Sequence, residues 1–148
     1  GIDFYPTLLE ATGTPAPKNY TLDGISLMPL LKESDARLKR RAIHWHFPAY
    51  LQGSVKRPED FRTTPAAAVR MGDWKLIEFF EDGILELYDT KNDLAETINL
   101  AGQMPEKTRE MHQVMLAWRK EVKAPVPSEP NPKYDPKSAY SIGKKENK

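Results

Sequence analysis

Residues 74–80 (WKLIEFF) lie between two turn signals, Gly72-Asp73 before them and Glu81-Asp82-Gly83 after them. A segment so short, so apolar and so rich in aromatic residues is a strand held between tight turns, not a helix. Gly72 in first place suits a two-residue hairpin turn, and Gly83 supplies the left-handed position of a three-residue one. Those turns imply a register. Across the first hairpin Met71 faces Trp74 and Val69 faces Leu76. Across the second, Phe80 faces Ile84, Leu76 faces Tyr88 and Glu78 faces Glu86, while Ile77 faces Leu87 and Lys75 faces Asp89. With flanking strands over residues 66–71 and 84–89, both faces of the sheet are largely apolar, so each needs a cover.

A further strand starts after Arg41, where the period becomes two: Ile43, Trp45 and Phe47 point one way, His44 and His46 the other. One cover is visible in residues 105–122, a helix whose Met111, Val114, Met115, Trp118 and Val122 form a single stripe, with His112 turned away from it. The second face, read as Val69, Met71, Trp74, Leu76, Phe80 and Tyr88, is expected to dock on something else. Upstream, Asp3 is an N-cap for a helix with Phe4, Leu8 and Leu9 on one side and Gly13 as its stop. A short helix over 27–31 follows, then the charged run 32–41 as a solvated connector. Residues 48–65 form a polar loop long enough to have a function of its own. Beyond Ala124 the prolines crowd together, as in a plain tail or in a segment wrapped on a surface with Tyr134 and Tyr140 as anchors. The expected fold is α+β, an antiparallel sheet of about four strands packed by a C-terminal helix. Its expected divisions are 1–40, 41–123 and 124–148.

Composition narrows the function classes. A net charge of +1 recruits neither nucleic acid nor acidic membrane surfaces, and the basic runs Lys39-Arg40-Arg41 and Lys144-Lys145 lack interleaved aromatics. There is no cysteine, hence no thiol nucleophile and no Cys-ligated zinc. No stretch approaches the roughly 20 apolar residues of a membrane-spanning helix.

Two runs resemble a known family. Asp3-Phe4-Tyr5-Pro6-Thr7-Leu8-Leu9, Ala11-Thr12-Gly13 and Leu22-Asp23-Gly24-Ile25-Ser26-Leu27 are similar to the D-x-x-P-T-L-L … L-D-G-x-S-L run of type I (formylglycine-dependent), arylsulfatase-like sulfatases. Arg70, Gly72, Trp74, Lys75, Leu76 and Ile77 resemble the first part of that family's C-terminal signature. Leu87, Tyr88, Asp89, Asp93, Glu96, Asn99 and Leu100 resemble the second part, with Leu94 where the family usually has Pro. The resemblance covers residues 2–100 and implies the C-terminal subdomain of such an enzyme, preceded by the last helices of an alkaline-phosphatase-like α/β domain. It implies a parent that hydrolyses sulfate esters of carbohydrates with formylglycine and a divalent calcium ion, in the periplasm or secreted. The chain has no Cys, and none of its serines stands in the S-x-P-x-R spacing, so no catalytic or metal-binding residue is expected here. The implied partners are the missing N-terminal catalytic domain and, at the cleft rim, the sulfate-ester substrate.

The candidate substrate-binding residues are His46, His44 and Tyr50. His46-Phe47-Pro48-Ala49-Tyr50 is similar to an H-F/Y-P-H-Y stretch near the family's substrate pocket, with Ala49 in place of the second His. An imidazole there hydrogen-bonds a sugar hydroxyl, or attracts a sulfate when protonated; the alternative is structural hydrogen bonding between sheet and loop. Zinc on His44, His46 and His112 lacks a reason for the three to meet. Asp89, Asn92, Asp93 and Glu96 read as turn chemistry and not as a calcium loop. Arg70, Lys75 and Asp89 read as an ion-pair cluster, and Trp45, Trp74 and Trp118 as core. Two rivals remain: a freestanding protein- or glycan-binding module, and part of a related metal-dependent phosphoesterase.

Overall fold

The structure, a computed structural model, describes residues 1–52 and 61–129. The middle of the expected 48–65 loop, and the tail from residue 130 with Tyr134, Tyr140 and Lys144-Lys145, lie outside the described residues. The chain divides into two units, Gly1–Arg41 and Ala42–Lys148.

In the first unit, helix α1 (Phe4–Thr12) ends at Gly13, whose φ of 66° only glycine adopts without cost. Helix α2 is the single turn Met28–Lys32. Asp3 precedes α1 but does not cap it with its side chain. Its carboxylate instead accepts the Ile25 amide at 2.9 Å and is gripped by the Arg40 guanidinium, with Nη1 at 2.8 Å. That bond to Arg40 holds the Asp3 carboxyl down at about 2. Thr7 accepts the Leu27 amide at 2.9 Å, and a Cβ on Gly24 would run into the Ile2 carbonyl. The two upstream motif runs are therefore bonded to each other through Asp3, Thr7 and Gly24. Arg40 corrects the reading of 32–41 as a merely solvated connector: its side chain is only 16% exposed.

In the second unit, strands β1 (Ile43–Phe47), β4 (Ala66–Met71), β5 (Trp74–Phe79) and β6 (Leu85–Asp89) form one antiparallel sheet in that order. The expected long loop contains two short strands, β2 (Leu51–Gln52) and β3 (Phe61–Thr63), paired as a separate ribbon. The first hairpin has the expected register, Met71 opposite Trp74 and Val69 opposite Leu76, with Gly72 at φ 57°. The second is offset by one residue from the expected pairing. Leu76 faces Leu87, Lys75 faces Tyr88 and Ile77 faces Glu86. The turn has four residues, 80–83, closed by the Phe79 amide on the Ile84 carbonyl and the Gly83 amide on the Phe79 carbonyl. Because side chains alternate, this single-residue offset exchanges the faces of strand β6.

Helix α3 (Pro105–Val122) covers the face that the sequence left open. Val69, Leu76, Leu87, Met111 and Met115 are fully buried there, with Met71, Trp74, Phe80 and Val114 packed against them. The uncovered face carries Trp45 and Phe47, 50% and 42% exposed, around Ala66, Ala68 and Ile77. Tyr88, which the expected register put on the other side, belongs to this one. The α3 stripe is also rotated from the expected one: Thr108 and Arg119 are buried, whereas Val122 is 47% exposed.

Candidate functional site

The segment after β6 shows what the signature residues do. The Asp89 carboxylate accepts the Lys91 amide at 3.1 Å and the Asn92 side-chain amide at 2.7 Å. Asp93 accepts the Thr97 and Ile98 amides at 2.7 and 2.8 Å, and the bond from Ile98 is the chief cause that holds its carboxyl below the ordinary range. Asn99 Oδ1 accepts both the Leu87 amide (3.1 Å) and the Ala101 amide (2.9 Å), and the Leu100 amide donates to the Leu87 carbonyl (2.8 Å). This closes the free edge of β6, which would otherwise expose a row of unpaired backbone groups. Lys75 pairs with Glu96 (Nζ–Oε2 2.6 Å) and not with Asp89, which lies opposite Trp74. Glu96 reaches it from a left-handed backbone at φ 56°. Asp89, Asp93, Asn99 and Leu100 are thus backbone tailoring, and Leu94 is 85% exposed in the turn.

Strand β1 presents two different surfaces. On the helix side the His44 ring lies flat on Trp118, centroids 4.5 Å apart and planes 1° apart. Burial pushes the His44 imidazole below its ordinary value. His46 Nε2 lies 2.6 Å from the Pro125 carbonyl, which only accepts, so this nitrogen carries the hydrogen. Its ring also touches Phe80 and the edge of Trp118. Alongside, Glu78 Oε2 lies 2.8 Å from Arg119 Nη2 and 3.3 Å from His112 Nε2, and the Arg119 guanidinium sits over the Phe80 ring. His112 therefore faces the sheet, contrary to the sequence reading, because the rotated stripe brings that side of α3 inward.

Tyr50, 50% exposed, donates its hydroxyl to Glu81. The two border an open depression of about 540 Å³ with Pro48, Pro65, Phe80 and Pro127. His44 and His46 thus lie in β1 and Tyr50 comes after its end, but only Tyr50 and the Phe80 side of His46's surroundings reach this depression. On the uncovered face a second hollow of about 470 Å³ is bounded by Trp45, Phe47, Arg70, Lys75, Thr90 and Leu94. Trp45 is thus half-exposed and not core as expected. The Glu78–Arg119 pair had a sequence signal that the reading passed over: Glu78 interrupts an apolar strand, and Arg119 follows Met115 by one helical turn. Among the described residues no three His, Asp or Glu side chains gather in a metal-holding group. Those residues do not fit calcium, and the sequence has neither a Cys nor a serine in the S-x-P-x-R spacing to serve as a formylglycine precursor.

Comparison with known proteins agrees with this architecture. The family described as "N-sulphoglucosamine sulphohydrolase, C-terminal" matches residues 1–122. A "Sulfatase" of Formosa agariphila is 36% identical over 138 residues, covering 84% of this chain and 24% of that protein. "Arylsulfatase K" of Xenopus laevis is 33% identical, over 74% of this chain and 20% of its own. A structure solved in complex with its substrate, D-glucosamine-2-N,6-O-disulfate, superposes with a TM-score of 0.65 at 28% identity, covering 89% of this chain and 25% of that one. The phosphonate monoester hydrolase of Agrobacterium radiobacter does so with a TM-score of 0.54 at 25% identity, over 86% and 28% of the two chains. The chain spans about a quarter of the length of most of these relatives. It belongs to the N-sulphoglucosamine sulphohydrolase C-terminal family, the C-terminal subdomain of sulfatases.

Proposed function

We propose that this chain is the C-terminal part of a sulfuric ester hydrolase acting on sulfated carbohydrate, where it completes the fold and lines part of the substrate cleft. The observation that carries the reading is the family match over residues 1–122, supported by a related structure whose substrate is a disulfated glucosamine. The nucleophile, expected as formylglycine, and a divalent calcium ion belong to a preceding catalytic domain. There the ion would draw charge from the sulfate oxygens. A periplasmic or secreted location goes with this reading.

The chain's own contribution is positional. The uncovered sheet face, with Trp45 and Phe47 half-exposed beside the Lys75–Glu96 pair, is the surface that docks on the catalytic domain. This replaces the face expected from sequence. Strand β1 and the residues just after it then carry the cleft wall. Tyr50 offers a phenol at an open depression and is the foremost substrate contact; His46, whose ring touches Phe80 at the depression's border, ranks second. His44, bedded on Trp118, acts by holding the strand in place.

A second reading, a phosphonate or phosphate ester hydrolase, is favoured by the likeness to the Agrobacterium enzyme. The longer protein, supplied with calcium and offered an aryl sulfate, N- and O-sulfated glucosamine and an aryl phosphonate, separates the two. Sulfate release with sulfated glucosamine preferred supports the proposal; turnover of the phosphonate alone supports the second reading.

A further inference from the structure

All three histidines of the chain lie in one layer, between helix α3 and the sheet. Imidazole is the side chain whose charge ordinarily changes between about pH 5 and pH 8, so the neighbours of each ring decide what acid does to this interface.

The three rings are set differently. His44 Nδ1 is buried and makes no hydrogen bond among the described residues. A proton added there is a desolvated charge with an unpaired N–H, a cost that the indole face of Trp118 offsets only in part. His46 gives its Nε2 hydrogen to the Pro125 carbonyl, so a second proton must go to Nδ1, which is likewise buried and unbonded. His112 differs in the charge that faces it. Its Nε2, also buried and without a hydrogen bond among the described residues, lies 3.3 Å from the Glu78 carboxylate, and a proton on it meets an opposite charge. Arg119 holds the same carboxylate from α3, while Arg109, exposed one turn before His112, and Lys107, paired with Glu110, are the other cations on that part of the helix. From the sheet, Ala67 and Leu85 flank Glu78 on β4 and β6. Arg70, Lys75 and Glu86 belong to the opposite face by register. Glu81 and Glu129, both exposed, border the depression beyond Phe80.

We propose that the α3–sheet interface is an acid-sensitive latch. Protonation of His44 and His46 loosens α3 and residues 124–129 from strand β1, while protonation of His112 tightens α3 on Glu78 of strand β5. Acid thus moves the helix's hold from the strand that leads to Tyr50 toward the middle of the sheet. The signs are opposite by construction. The share of stability from neutral, buried His44 is whole above its ordinary value of 6.5 and is lost as pH falls below it. The His112–Glu78 attraction exists only once His112 is charged.

The test is amide hydrogen exchange of β1 and α3 in the full-length protein at about pH 7.5 and about pH 5, corrected for intrinsic rates. At the lower pH the wild type loses protection in β1 and in the second half of α3. His44→Phe keeps an aromatic ring on Trp118 that cannot titrate, and reduces that loss. His112→Gln keeps a hydrogen-bond donor without the charge, and enlarges the loss in α3. A wild type equally protected at both pH values overturns the proposal, as do two variants that shift the pH dependence in the same direction. If His44→Phe fails to fold, the direction of the His112→Gln effect decides by itself.

Discussion

Asp3 and Arg40 stand 37 positions apart and form one of the tightest polar contacts in the first unit. The Arg40 hydrogen bond is the main cause that holds the Asp3 carboxyl near 2, against an ordinary 3.8, with the Ile25 amide adding to it. A carboxyl depressed on folding stabilises the fold fully above its ordinary value and loses that contribution as pH falls toward 2. Arg40→Gln should therefore return Asp3 to the ordinary carboxylate range, read as its side-chain carbon shift across an acid titration by NMR. An unchanged midpoint would mean that Arg40 is not the cause. Sequence could show Asp3 as a candidate cap but not this partnership, since a contact between distant residues leaves no local pattern. The same limit hid the inward turn of His112, which depends on how far α3 is rolled on the sheet.

The elements themselves were more legible than their pairing. Pro105 at the first helical turn and the stripe from Met111 to Trp118 mark α3 at its observed bounds, and Gly72 marks the first hairpin. Glu81-Asp82-Gly83 is compatible with either a three- or a four-residue turn, because Gly83 is left-handed in both. Only the bond from the Gly83 amide to the Phe79 carbonyl selects the longer one. The consequence is large, since Leu87 moves from the face of Ile77 to full burial against Leu76 and Met115. Leu87→Ala in this register leaves a cavity in the core and should cost about 3 kcal/mol in urea unfolding. A cost below about 1 kcal/mol would place Leu87 on the open face, as the three-residue turn requires.

At the scale of the whole molecule the sheet has one face sealed by α3 and one with Trp45 and Phe47 half-exposed. That asymmetry is what a subdomain built to pack on a larger partner needs, and aromatic residues are frequent anchors of such surfaces. Trp45→Asp should leave the melting temperature of the isolated chain within about 1 °C, because the residue is outside the core. In the longer protein it should lower the melting temperature by several degrees, as loss of an interface anchor does. Equal effects in both would remove the docking role from this face. The site was legible only as far as the family resemblance extended. The motifs in residues 2–100 point to a sulfatase, yet the polar signature residues Asp89, Asp93 and Asn99 prove to bond backbone, and Lys75 and Glu96 pair with each other.

The most direct measurement is sulfate release from N- and O-sulfated glucosamine, with calcium present, by the longer protein and by residues 1–148 alone. The expected result is turnover by the longer protein and none by the chain alone, since it has no cysteine and no serine in the required motif. Sulfate release by the isolated chain would contradict the account, because residues assigned here to folding and docking would then be performing the hydrolysis.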